Sequence, residues 1–366
     1  MRGIRLSHLY DSRKRIYGIN RRKFLQYSSL ALGTGILAAC TNENKISTVT
    51  PASDFRSNGK LDKVIFSIHW VAEAEYGGFY QAVATGIYRD HGLDVTIKPG
   101  GPRGNYTLLL MGGSVDLIMG HSGDAISALK DGVPMITVAA TFQKDPQVLI
   151  AHPGTGNDSL EKLKGKPILV GSGGEATYWP FLKAKYGFTD DQKRPYNFDV
   201  QPFLKDKNII QQGLLTAEPF EIKKKGGFEP VSILLADYGY NAYGFTIETT
   251  KKLVERNPDL VQRFVDASIK GWYSYLEDPV PGNNLIKKDN PDMTDEQLNF
   301  SLEKLKQNAV ITGGEAQQLG IGAMTEERWR SFYDNLVKAG VVEGNINYKD
   351  AFTLQFVNKG VNYYKS

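Results

Sequence analysis

The stretch that most constrains this chain covers residues 63–101, KVIFSIHWVAEAEYGGFYQAVATGIYRDHGLDVTIKPGG. Residues 64–68 form an apolar, β-branched run of strand length. Residues 70–78 follow with no helical period. Phe79, Ala82, Val83 and Ile87 then recur at three- and four-residue spacing, and Gly92 closes that segment before a second strand at 94–98. A strand, helix, strand unit of this kind builds a parallel sheet in an α/β protein. Ligands of open α/β sheets lie beyond the carboxyl ends of the strands, so the loop with Trp70, Glu73, Glu75 and Tyr76 is the first candidate site.

The same grammar continues. A helix is expected at 105–111, a strand at 116–119 and a turn Gly120-His121-Ser122-Gly123-Asp124, followed by a helix at 125–130 and strands at 135–140 and 148–150. A second series begins at Leu160. It predicts a strand at 168–170, the turn Gly171-Ser172-Gly173-Gly174-Glu175, a helix at 176–186, a strand at 200–203, a helix at 209–215 and a strand at 231–236. Beyond residue 240 the pattern is mainly helical. Asn257 caps, Pro258 takes the first turn, and Val261, Phe264, Val265, Ser268, Trp272 and Tyr275 share one stripe. Thr325 caps a further helix with Trp329, Phe332 and Leu336, ended by Gly340.

The N-terminus reads as an export signal. Arg21-Arg22 precedes an uncharged run at 26–39, too short to span a bilayer, which ends in Leu37-Ala38-Ala39-Cys40. Twin arginines suit the Tat route, and small residues before a cysteine suit lipidation. Cys40 is the one cysteine of the chain, so no disulfide closes within a monomer. Residues 1–39 hold 8 of the 44 Lys/Arg and 1 of the 40 Asp/Glu, which leaves 36 against 39 and a net charge of −3. The basicity belongs to the leader, and nothing beyond it argues for nucleic acid. Residues 40–61 read as a lipid-anchored tether reaching roughly 25 Å.

Several side chains at the expected strand ends suit a small polar aromatic solute. Trp70 and Tyr76 offer rings to a flat heterocycle, against the alternative that they only pack. Glu73 and Glu75 can pair an amino group, while His121, Ser122 and Asp124 follow the next strand end. Gly173, Gly174 and Glu175 open a helix whose amides favour an anion or a polar edge, and Tyr178 and Trp179 lie on its first turn, one expected toward the cleft and one into the lobe. Glu218 before Pro219, and Asp237 with Tyr238, close elements of the second series. Arg103 is the one arginine near these loops. The histidines show no metal-ligand spacing, and no nucleophile with a base and an orienting partner assembles, so neither a metal, a cofactor nor catalysis is expected.

Trp70, Gly77-Gly78-Phe79-Tyr80-Gln81-Ala82, Gly86, Tyr88, Gly92-Leu93-Asp94-Val95, Gly112, Val115-Asp116, Gly132-Val133-Pro134, Leu163-Lys164-Gly165-Lys166 and Glu218-Pro219 together resemble the periplasmic solute-binding proteins of ABC importers. Within them the chain is most similar to the group of thiamin-pyrimidine precursor, sulfonate and nitrate binders. The resemblance implies a two-lobe α/β periplasmic-binding-protein fold of type II with the ligand cleft between lobes. Lobe 1 would comprise residues 62–148 and the return at 236–366, and lobe 2 residues 149–235. It implies a monomer that delivers a solute to a permease and its ATPase and touches the membrane only through its lipid. A related pyrimidine-synthase enzyme uses a lysine for pyridoxal phosphate, a donor histidine and a cysteine-rich motif. Here Gly120, Asp124 and Tyr240-Asn241-Ala242-Tyr243-Gly244-Phe245 stand in those places.

Two acyl chains give stable anchoring where one is marginal. Cys40→Ser is therefore expected to move the protein from the membrane to the soluble fraction on cell fractionation. Unchanged retention would refute the anchor.

Overall fold

The computed structural model describes residues 60–102 and 104–365. The leader, Cys40, nearly all of the tether and Arg103 lie outside the described residues. Ten strands make two five-stranded mixed sheets. The first is built from β1 (Asp62–Ser67), β2 (Leu93–Lys98), β3 (Leu117–Gly120), β4 (Met135–Phe142) and β10 (Gly244–Thr250), in the order β2-β1-β3-β10-β4. The second takes β5 (Gln147–Ala151), β6 (Ile168–Val170), β7 (Lys193–Pro195), β8 (Ile210–Leu214) and β9 (Val231–Leu234), in the order β7-β6-β8-β5-β9.

The opening unit folds as its sequence requires. β1 pairs in parallel with both β2 and β3. The helix between β1 and β2 starts earlier than its apolar spacing indicates, at Gly77, after a short turn of 3-10 helix over Ala74–Tyr76. β10 runs antiparallel between β3 and β4, and β5 runs antiparallel between β8 and β9. The first sheet thus takes back β10 after the consecutive strands β5 to β9 have completed the second. The connections β4 to β5 (143–146) and β9 to β10 (235–243) are the two crossings.

The second series departs from expectation in three places. Residues 201–205 are helical and 210–214 are a strand, the reverse of the sequence pattern. Ile209, Ile210, Leu214 and Leu215 have helical spacing, but β8 sits between β6 and β5, where ladder hydrogen bonds on both edges outweigh local propensity. β7, Lys-Arg-Pro, has no apolar signal because it is an edge strand, where proline is tolerated. The expected helix at 176–186 is two helices, Ser172–Ala176 and Trp179–Tyr186.

Helix Pro258–Glu277 covers the first sheet and buries the predicted stripe, with Asn257 accepting from the Leu260 amide. It meets helix Gly77–Ala84 where Gly271 lies on Gly78. A Cβ on Gly271 would stand 2.3 Å from the Gly78 carbonyl and 2.7 Å from the Ala82 Cβ. The two backbones approach only because neither residue has a side chain. Gly271→Ala is expected to cost about 1–3 kcal/mol, as overpacked cores do. The measurement is urea unfolding, with a lower midpoint and an unchanged slope.

Candidate functional site

Loops at the carboxyl ends of the two sheets meet. Trp70, after β1, packs its ring on Phe198, after β7, with centroids 4.8 Å apart. Thr216, after β8, donates its hydroxyl to the Glu75 carboxylate in the loop after β1, and Ser301 donates to the Thr216 carbonyl at 2.7 Å. Phe198 is 44% exposed and has φ of 59°, a left-handed conformation that a bulky residue adopts only at some cost.

Three carboxyl groups stand at this junction. Glu218 opens helix Glu218–Gly226; its Oε2 accepts from the Leu214 amide at 2.7 Å and its Oε1 from the Tyr196 hydroxyl at 3.3 Å. Burial outweighs these bonds and pushes the Glu218 carboxyl up to about 7. Burial, then the charges of Glu75, Glu218 and Glu221, holds Glu73 well above the carboxylate range. Glu75 is 2% exposed and is likewise raised by burial, and its Oε2 has no hydrogen-bond partner.

A second polar group lines the floor of the first sheet. His69 follows β1 and His121 follows β3, with ring centroids 5.0 Å apart, and both rings face Phe245. The Tyr76 hydroxyl is 3.5 Å from His69 Nε2, and His69 Nδ1 is unpartnered. Burial, then the neighbouring His121, holds the His69 imidazole well below its usual range, which keeps it neutral at pH 7. His121 Nδ1 lies 3.9 Å from a carboxylate oxygen of Asp145 on the first crossing.

The remaining predicted residues fall into two sets. Ser122 is buried and donates to the Tyr243 carbonyl at 3.1 Å, and Asp124 caps its helix by accepting from the His121 amide at 2.9 Å. Gly174 packs under the Tyr178 ring, whose hydroxyl donates to Gln212 at 2.8 Å. Tyr178 and Trp179 are both buried, the Trp179 indole N–H donating to Asp190 at 2.9 Å, so neither of them is an open ring on the cleft. Gly173 is exposed, and exposed Glu175 pairs with Lys193 at 3.3 Å. Asp237 is exposed and pairs with Lys144 at 2.9 Å, joining the two crossings, and the Tyr238 carbonyl accepts from Lys185 and Tyr186. The residues brought together at the junction are Trp70, Glu73, Glu75 and Glu218, with Tyr76 and His121 on the floor.

Sequence reasoning missed His69, Asp145, Tyr196, Phe198 and Thr216. The aromatic pair Tyr196 and Phe198 directly follows β7, and reading Lys193–Pro195 as an edge strand would have exposed it. Among the described residues no three His, Cys, Asp or Glu are placed to hold a metal, and no helix is long and apolar enough to cross a membrane.

Because folded Glu218 binds its proton more tightly than the unfolded chain does, it lowers stability as pH rises from about 4.5 to about 7. The full cost stands above that window and is absent below it. Glu218→Gln is expected to remove up to about 3 kcal/mol of this pH dependence. Chemical denaturation of both proteins at pH 4.5 and pH 8 measures it, and parallel profiles would refute it.

The comparisons agree with this architecture. The NMT1/THI5-like family model matches residues 73–281. The riboflavin-binding protein RibY of Chloroflexus aurantiacus is 24% identical over 324 residues, covering 86% of this chain and 90% of its own. A formylaminopyrimidine-binding protein of Halalkalibacterium halodurans is 23% identical over 340 residues, covering 90% and 98%. The alkanesulfonate-binding protein SsuA of Xanthomonas axonopodis, solved with MOPS, superposes with a TM-score of 0.59 at 11% identity over 81% of this chain and 99% of that one. The two-lobe α/β architecture is the periplasmic-binding-protein fold, and the chain belongs to the NMT1/THI5-like family.

Proposed function

We propose that this protein is the extracytoplasmic solute-binding component of an ABC importer, and that its solute is a small nitrogen-containing aromatic such as a thiamin-pyrimidine precursor. The observation that carries the reading is the opposed pair Trp70 and Phe198, one ring from each sheet, beside the carboxyls of Glu75 and Glu218. Rings stack on a heterocycle and carboxyls accept from its N–H groups. Relatives named for riboflavin and for formylaminopyrimidine support the same class. At 4.8 Å the two rings touch, so a planar solute enters between them only when the sheets part. That calls for a hinge motion about the crossings. Lobe 1 is then residues 62–142 with 244–366 and lobe 2 residues 147–234, joined by the crossings 143–146 and 235–243, which moves the expected boundary at 148 to the start of β5. A monomer tethered through Cys40 would hand its solute to a permease and its ATPase.

Binding rather than catalysis fits the residues at the expected cofactor position. A Cβ on Gly120 would lie 2.4 Å from Glu248 Oε2, so this site has neither an amine for pyridoxal phosphate nor space for one. An anionic solute, a sulfonate or nitrate, finds its expected donors spent, the Ser122 hydroxyl on the Tyr243 carbonyl and the Gly174 amide on the Gly171 carbonyl. The buried carboxyls at the junction oppose it.

A solute at 100 times its Kd adds about 2.7 kcal/mol of stability. Aminopyrimidines or flavins are expected to raise the melting temperature, and taurine and nitrate to leave it unmoved. Trp70→Ala and Phe198→Ala should each weaken heterocycle binding about tenfold, near 1.4 kcal/mol. A response to the anions alone would sink the reading.

A further inference from the structure

The carboxyl cluster has a feature that solvated carboxylates lack: its members come from both sheets, and among the described residues no cation pairs with Glu73, Glu75 or Glu218. Glu73 and Glu75 arrive on the loop after β1, and Glu218 and Glu221 on the helix after β8. Thr216 bonds one oxygen of Glu75, while the other, fully buried, has no partner. Glu218 accepts one backbone N–H and one hydroxyl. Among the described residues the other titratable groups acting on these three are Glu221, Tyr76, Tyr178, Tyr196 and Tyr275, none of them cationic. Lys225 is paired with Glu221.

We propose that Glu73, Glu75 and Glu218 form a subsite that exchanges protons for solute: a solute bringing N–H donors or a cationic amine to these carboxyl oxygens displaces protons from the subsite. This rests on the solute-binding reading above. The empty junction buries neighbouring carboxyls at low cost only while they carry protons, because burial and mutual repulsion both disfavour their ionised forms. A donor group reverses that preference. Binding then releases protons, and by linkage the affinity rises with pH as long as Glu218 begins protonated. Solutes with acceptors alone find no donors here except by keeping the protons in place, and they gain nothing from higher pH.

The test is calorimetric titration of the full chain with an aminomethyl-aminopyrimidine and with riboflavin at pH 6, 7 and 8. Each titration is run in phosphate and in Tris, whose heats of ionisation differ. Glu218→Gln is measured in parallel, which subtracts any titration of the solute itself. Expected are an affinity gain of about fivefold from pH 6 to pH 7 over that of the variant, about twofold more from pH 7 to pH 8, and a heat that depends on buffer. Carbon-13 NMR of glutamate-labelled free protein should show a carboxyl titrating near neutrality that is missing from Glu218→Gln. Binding with the same pH profile and buffer response in both proteins overturns the proton exchange and leaves the solute reading intact. No binding of either solute at any pH overturns both, and absence of a near-neutral carboxyl signal overturns the exchange without reference to solute.

Discussion

One guanidinium holds both crossings. Arg328, on helix Glu326–Lys338, donates Nε–H to the Asn241 carbonyl at 2.9 Å and Nη2–H to the carbonyls of Ala242 and Gln143. Asn241 and Ala242 belong to the crossing into β10, and Gln143 to the crossing out of β4. Nη1 pairs with Glu315 at 2.9 Å, and the planar group lies 4.0 Å over the Tyr243 ring. Only arginine has a rigid fork of donors that can serve several carbonyls and a carboxylate while stacking on a ring. Its charge is mostly shielded from water, yet Glu315 balances it, so the desolvation cost is offset where an unpaired cation would be untenable. The relative placement of the sheets, and hence of every residue at their carboxyl ends, depends on these few bonds.

The aromatic floor is built on the same crossings. Phe245 begins the return strand with φ of 48° and stacks on Phe142 at 4.4 Å, so the last residue of β4 and the second of β10 are locked face to face. Around the rest of the buried ring stand His69, Tyr76 and His121. A left-handed phenylalanine persists only where its surroundings over-determine it. Here the stack and the three rings do so, which ties the shape of the cleft floor to the backbone of the hinge.

How much was legible in the sequence follows from which forces decide each element. Residues 63–101 were readable because apolar periodicity, a closing glycine and strand propensity agree there, and helix Pro258–Glu277 was readable because its cap and stripe agree. β8 was not, since its identity is set by two neighbouring strands rather than by Ile-Gln-Gln-Gly-Leu itself. The place of β10 was hidden for the same reason. Its own residues, Gly244–Thr250, are rich in β-branched side chains, but its place between β3 and β4, both far from it in the chain, is given only by the fold. At the site, Trp70, Glu75 and Glu218 stood out as residue types at strand ends. Phe198, Thr216 and Asp145 did not, because their roles come only from a second segment arriving from the other sheet.

The junction between the sheets is made differently from either sheet. Inside each, ladders and continuous apolar packing fix the strands; across the junction stand the ring pairs Trp70–Phe198 and Phe220–Phe300, the hydroxyl bonds of Thr216 to Glu75 and of Ser301 to the Thr216 carbonyl, and the Lys224–Glu296 ion pair, with Lys144–Asp237 joining the crossings and like-charged carboxyls beside them. A surface ion pair is worth about 0–1 kcal/mol, and a ring pair about 0.5–1.5 kcal/mol beyond its buried area. Each of these contacts is individually small, so under the proposed hinge motion a ligand that touches both sheets need supply only a few kcal/mol of differential binding to favour the joined state.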